Sequence, residues 1–228
     1  QAKVEKLTIS GEVYVVTESI FSMDGDYPDL PTLVKFCNEK NIFLVVDEAH
    51  ALGVFGETGE GLLQHLNLHH KVFARIVTFG KGLGAHGAAI LGSETLKEFI
   101  INFTRSFIYT TAIAPHSVAT ISSAYQELVH TSAIKKLQQN ITYFQQQVED
   151  LDLKDAFIAS DSAIQSCIIP GNEQVKAIAE KLQQQHYLVK PILSPTVAKG
   201  EERLRFCLHS YNLKEEIFSV LQCLKREL

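Results

Sequence analysis

The sequence contains no apolar run long enough to cross a bilayer, which takes about 18 residues or more. Its most apolar stretch, Phe99 to Ala124, is broken by Arg105, His116 and several serines and threonines. The opening residues Gln1-Ala2-Lys3-Val4-Glu5-Lys6 lack the apolar core of a secretion signal. An excess of basic charge is also missing: 21 Lys and Arg stand against 26 Asp and Glu. That balance argues against general nucleic-acid binding, which needs a basic footprint. Glycine (13) and proline (6) are too few for a low-complexity or collagen-like chain. The four cysteines, Cys37, Cys167, Cys207 and Cys223, form no C-x-x-C pair, so a metal centre or redox motif has no support. Cys37, Cys167 and Cys207 lie in apolar runs and read as buried free thiols, in keeping with a cytoplasmic setting.

What the chain does have is a globular composition, with 46% apolar and 21% charged residues over 228 positions. Strand and helix signals alternate through the first half. Val13–Val16, Ile42–Val46, Ile76–Phe79 and Ala88–Leu91 read as strands. Asp29-Leu30-Pro31 opens a helix, with Asp as cap and Pro in the first turn. This alternation predicts an α/β fold with a mostly parallel sheet. The short glycine-rich return between the third and fourth strands predicts an antiparallel pair there.

The second half reads differently. Helices are predicted over Ser117–Val129, Ala133–Val148, Asn172–Gln185 and Leu213–Leu224. Strands are predicted at Ala163–Ile169, Tyr187–Val189 and Leu204–Leu208. The expected organisation is a larger α/β portion over 1–135 and a small α+β domain over 136–228. Four strands make a thin sheet for so many apolar residues, so an N-terminal part of the fold is expected to be absent.

Three islands sit just beyond predicted strands, on the sheet edge where open α/β folds bind ligands. They are Phe21-Ser22-Met23-Asp24-Gly25-Asp26, Asp47-Glu48-Ala49-His50 and Thr78-Phe79-Gly80-Lys81-Gly82-Leu83-Gly84. The second island also matches a helicase metal motif. That reading needs an upstream phosphate loop, and none is present. Asp47 taken alone could simply cap a turn. Lys81 taken alone could bind phosphate or face solvent. Among glycines that let backbone approach a ligand, a desolvated Lys81 could instead be a nucleophile for a carbonyl. A lysine, a carboxylate and an imidazole together are the groups that pyridoxal phosphate requires: a Schiff-base amine, a partner for the pyridinium nitrogen and a contact for the ring oxygen.

With these islands, and with Gly53-Val54-Phe55-Gly56, Phe107-Ile108-Tyr109-Thr110-Thr111 and Pro195-Thr196-Val197 in the same order, the chain resembles the α-oxoamine synthases among the fold-type I pyridoxal-phosphate enzymes. The resemblance runs from Val13 to the C-terminus. It implies part of a fold-type I large domain followed by the small domain. It implies an enzyme that condenses an amino acid with an acyl-CoA and releases CO2, in a homodimer whose site is shared across subunits. Lys81 would form the Schiff base with pyridoxal 5'-phosphate and move the substrate α-proton. Asp47 would face the pyridinium nitrogen and His50 the ring oxygen. Ser22 and Thr78 would contact the cofactor, and Thr110 and Thr111 the phosphate of the neighbouring subunit's cofactor. Arg205 would hold the amino-acid carboxylate through its guanidinium fork, with Arg203 on the same strand face as its competitor. Thr196 would contact substrate. Ala85-His86 and Leu193 depart from the family pattern. Lacking the family's N-terminal portion, the chain as given is expected to bind the cofactor weakly and to turn nothing over.

Overall fold

A computed structural model describes residues 10–228. They fall into two compact units. One comprises Tyr27–Thr131 together with the described residues up to Ile20, and the other Phe21–Asp26 with Ser132–Leu228. The short segment Phe21–Asp26 thus groups with the second unit, although the sequence expectation kept it with the first. The main division falls at Thr131, a few residues before position 135.

In the first unit the chain runs β1 (Tyr14–Glu18), α1 (Leu30–Glu39), β2 (Phe43–Asp47), α2 (Leu62–His65), β3 (Ala74–Thr78), β4 (Ala88–Gly92), α3 (Glu94–Phe103), α4 (Arg105–Ile108) and α5 (Pro115–His130). The sheet order is β1-β2-β3-β4. β1 and β2 pair in parallel, as do β2 and β3, while β4 returns antiparallel to β3. The tight glycine-rich return produces that reversal. Asp29 caps α1 by accepting a hydrogen bond from the Thr32 amide at 3.1 Å. Leu30, Val34 and Cys37 on α1 then bury against Leu44 and Val46 of β2 and Leu63 of α2. Removing such side chains from water contributes about 1.5–3 kcal/mol each. The helix α3 is an element that the sequence reading did not assign.

The second unit contains α6 (Ala133–Asp150), a 3-10 turn (Lys154–Ala156), β5 (Ile164–Ile168), α7 (Asn172–Gln184), β6 (Lys190–Ile192), β7 (Arg203–Cys207) and α8 (Lys214–Glu227). Its sheet has order β5-β7-β6, antiparallel throughout. Tyr187–Val189 is not a strand. The Tyr187 amide still bonds to the Leu182 carbonyl at the end of α7, and pairing begins only at Lys190. Pro191 lies in β6, an edge strand, where a missing N–H is tolerated. Phe144 of α6 is fully buried, with Phe157 and Phe206 rings each 5.6 Å away. Cys207, expected to be buried, is exposed at the end of β7, whereas Cys223 on α8 is buried.

Candidate cofactor site

In the first unit Asp47 closes β2 and Thr78 closes β3. Asp47 pairs with Ile76, and strand alternation puts Thr78 on the same sheet face as Ile76. Asp47 and Thr78 therefore look out from one side of one edge. The chain turns sharply after Asp47: its Oδ1 accepts a hydrogen bond from the Ala49 amide at 2.8 Å. Asp47 Oδ2 has no partner among the described residues and is open to a ligand.

That turn carries His50 toward the third island. Lys81 Nζ and His50 Nε2 are 2.8 Å apart. The two nitrogens are within hydrogen-bond distance. Either an ammonium donates to a neutral imidazole or an imidazole N–H donates to a neutral amine. Lys81 is exposed rather than desolvated. Its distinguishing feature here is the imidazole beside it, not burial. Backbone packing sets this approach. A Cβ on Gly82 would overlap the Leu52 carbonyl oxygen, and one on Gly53 would lie 3.2 Å from Gly82 Cα. The loop after β3 and the turn after β2 can lie this close because both positions lack side chains.

Thr78 Oγ1 is buried and has no hydrogen-bond partner among the described residues. An orphaned hydroxyl of this kind normally finds a partner. With Asp47 Oδ2 open and Lys81 within reach of His50, the residues present fit a group that offers a protonated ring nitrogen, a ring oxygen and an aldehyde carbon. Asp47, His50, Thr78 and Lys81 are the residues that could hold it.

Thr110 and Thr111 lie in the exposed turn between α4 and α5. No hydrogen bond links their side chains to Asp47, His50 or Lys81 among the described residues.

In the second unit two arginines of β7 have different fates. Arg203 is buried and ion-paired with Asp24. Arg205 is half-buried; its Nε donates to the Ser22 carbonyl at 2.8 Å and its Nη1 contacts Cys207 Sγ at 3.1 Å. Its Nη2 has no partner among the described residues. Of the two, Arg205 is the one able to take up a carboxylate. The whole segment Ser22–Gly25 is tied to this unit, with Ser166 donating to the Met23 carbonyl and Ser160 to the Gly25 carbonyl, both at 2.8 Å. Thr196 is exposed in the turn after β6, a turn held to α7 by Asn172 Oδ1 accepting from the Ser194 amide at 3.0 Å.

Sequence reasoning missed Asp24, Glu48 and Arg75. Glu48 is fully buried and Arg75 is 7% exposed. An arginine inside the apolar strand Ala74-Arg75-Ile76-Val77 was the available signal, since a buried charge implies a partner.

Residues 2–221 match the aminotransferase class I and II family. The chain belongs to that family. The family is pyridoxal-phosphate dependent. Among its curated members the chain is similar to the 8-amino-7-oxononanoate synthase of Cellvibrio japonicus, 39% identical over 227 residues, covering 98% of this chain and 56% of the relative. It is also similar to the 8-amino-7-oxononanoate synthase of Emericella nidulans, 38% identical over 219 residues, covering 92% and 53%. The chain spans about half the length of these relatives. Among solved structures, the 8-amino-7-oxononanoate synthase from Francisella tularensis superposes with a TM-score of 0.85 at 28% identity, covering 99% of this chain and 65% of that one. A serine palmitoyltransferase from S. paucimobilis, solved with a bound PLP–myriocin aldimine, gives a TM-score of 0.90 at 22% identity, covering 99% and 57%. At that identity the second likeness speaks for the fold alone.

Proposed function

We propose that the protein carrying this chain is a pyridoxal-phosphate-dependent acyltransferase that condenses L-alanine with pimeloyl-CoA and releases CO2 and CoA. The product is 8-amino-7-oxononanoate, an intermediate of biotin synthesis. The observation that carries this reading is the grouping of Asp47, His50, Thr78 and Lys81 on one sheet edge, with Lys81 Nζ 2.8 Å from His50. The identity to 8-amino-7-oxononanoate synthases directs the choice of substrates.

When bound, the cofactor supplies a protonated pyridine ring that accepts electron density from the amino-acid α-carbon. Asp47 holds the proton on the ring nitrogen through its open Oδ2. The Ala49 amide on Oδ1 keeps that carboxylate oriented. His50 faces the ring oxygen, and Thr78 and Ser22 bind the cofactor's polar atoms. Lys81 Nζ would hold the cofactor and would take the α-proton of alanine. The His50 ring, 2.8 Å from Nζ, would orient that nitrogen through a hydrogen bond. Arg205 binds the alanine carboxylate through Nη2, the guanidinium nitrogen that the Ser22 carbonyl and Cys207 leave open. Thr196 contacts substrate. Thr110 and Thr111 reach the phosphate in the partner subunit of a homodimer, which accounts for hydroxyls placed on an exposed turn. The setting is the cytoplasm.

A second reading is ligation of glycine with acetyl-CoA. A third is acylation of serine by palmitoyl-CoA. CoA release is to be measured with the protein and pyridoxal phosphate on three pairs: alanine with pimeloyl-CoA, serine with palmitoyl-CoA, and glycine with acetyl-CoA. For the whole protein that carries this chain the account expects preference for the first pair, and for the chain alone no release. Preference for either other pair replaces the substrate assignment. Absence of release with all three, by protein of verified mass, assigns the chain as an inactive portion of such an enzyme.

A further inference from the structure

The acidic residue next to Asp47 has no part in the chemistry above, yet it is the more deeply buried of the two. Glu48 is fully buried. Val46 pairs with Arg75 across β2 and β3, so Arg75 lies on the sheet face opposite Asp47 and Thr78. Glu48 Oε2 accepts from Arg75 Nε at 2.7 Å, and Oε1 accepts from the Leu63 amide at 2.8 Å. Arg75 Nη2 donates onward to the Glu60 carbonyl at 3.0 Å. Nη1 donates to Gln64 Oε1 at 3.4 Å, so both carboxylate oxygens and all three guanidinium nitrogens are consumed behind the sheet.

A buried ion pair is a weak source of net stability, because desolvation offsets most of the attraction. It is a strong source of geometric definition, because every bond in it is directional and charge-assisted. The backbone of Glu48 begins the turn in which the Ala49 amide holds Asp47 Oδ1. We propose that Glu48, clamped by Arg75, is a positioning residue that fixes the turn presenting Asp47 to the ligand side of the sheet. The proposal rests on the cofactor reading only for the identity of what Asp47 meets; the clamp itself belongs to the chain.

The test compares wild type with two variants. Arg75→Lys keeps the buried cation, and so favours retention of the fold, but replaces three bonded guanidinium nitrogens by one ammonium. Glu48→Met/Arg75→Met removes both charges at similar volume, a change that buried pairs often tolerate. Amide exchange is read at Ala49 and, as reference, along β2. Separately, the yield of pyridoxal phosphate reduced onto Lys81 by borohydride is read by peptide mass. The double variant is expected to exchange Ala49 about tenfold faster or more, with β2 amides unchanged, and to carry several-fold less label on Lys81. Arg75→Lys is expected to show a smaller acceleration in the same place. Unchanged protection of Ala49 in either variant overturns the proposal. So does acceleration spread evenly over β2 and Ala49, which reports loss of the fold instead. Absence of label on wild-type Lys81 counts against the cofactor reading and leaves the Ala49 comparison to decide this one.

Discussion

Helices α3–α5 of the first unit and α6–α8 of the second carry apolar side chains in comparable density, yet only one set is covered. On α6, α7 and α8 the apolar stripes are buried: Ile134, Leu137, Ile141, Phe144 and Val148 on the first, Val175, Ile178 and Leu182 on the second, Ile217, Leu221 and Leu224 on the third. On α3 and α4 no residue is buried, and on α5 only Leu128 is. Phe99, Phe103, Phe107, Ile108 and Tyr109 are exposed, Tyr109 at 80%. An apolar stripe records what a helix is selected to pack against, not what happens to be present. Continuous exposed patches of this kind mark interaction surfaces. In the homodimer reading above, this is the stretch that bears Thr110 and Thr111.

Cavity-forming substitutions sharpen the contrast most. Phe144→Ala should cost the second unit about 3–5 kcal/mol, the usual loss for a buried ring. Phe103→Ala, with its ring exposed, should stay within about 0.5 kcal/mol. Urea unfolding of each variant reads the difference, and equal costs would erase the distinction between the two helix sets. Ion pairs should follow the same division on a smaller scale. Arg203→Met strands Asp24, part-exposed at 34%, and should cost about 1–3 kcal/mol, less than for a fully buried pair. Glu94→Gln on α3, whose partner Lys97 is exposed, should cost less than about 0.5 kcal/mol. A comparable loss from both would mean that Arg203 does not tie the segment containing Asp24 to β7.

A pH effect belongs to the covered unit. The Gly171 amide, then the Gly200 amide, bond the Glu202 carboxylate at 2.8 and 3.0 Å and hold its pKa below the ordinary carboxylate value. The folded state therefore favours the ionised form. Its contribution is complete above the unfolded pKa and drains away as pH falls from about 4.5 through the lower folded value. Glu202→Gln should flatten the acid limb of a stability–pH curve and leave its neutral part with the same slope. An unchanged acid limb would remove Glu202 from that account. Smallest in energy is a difference in thiol reactivity within the same unit. Burial pushes the Cys167 thiol up to about 12, whereas Cys207 is exposed. At mild alkaline pH a thiol reagent should modify Cys207 first and Cys167 only on unfolding. Early modification of Cys167 would show that β5 opens locally.

Much of the architecture could be read from local pattern. The Asp29 cap, the apolar run of β2 and the glycine-rich return before β4 each specify their element within a few residues. The candidate site was legible for a similar reason: Asp47, His50 and Lys81 lie in short islands directly beyond strands. What local pattern could not show depends on partners far apart in the chain. Nothing near Glu48 announces Arg75, nothing near Asp24 announces Arg203, and the exposure of Cys207 follows from where β7 ends. The edge strand at Lys190–Ile192 was displaced in the reading because Val189 looks like strand while its neighbour Tyr187 still finishes the preceding helix.

The central claim is that the loop after β3 presents the one lysine built to carry the cofactor, and one measurement addresses it directly. The chain is incubated with excess pyridoxal phosphate, reduced with borohydride, digested, and mapped by mass. The account predicts that the pyridoxyl mass falls on the peptide containing Lys81 and disappears from that position in Lys81→Ala, with no lysine elsewhere gaining it. Label spread over surface lysines such as Lys35 and Lys97, with none concentrated at Lys81, would contradict it.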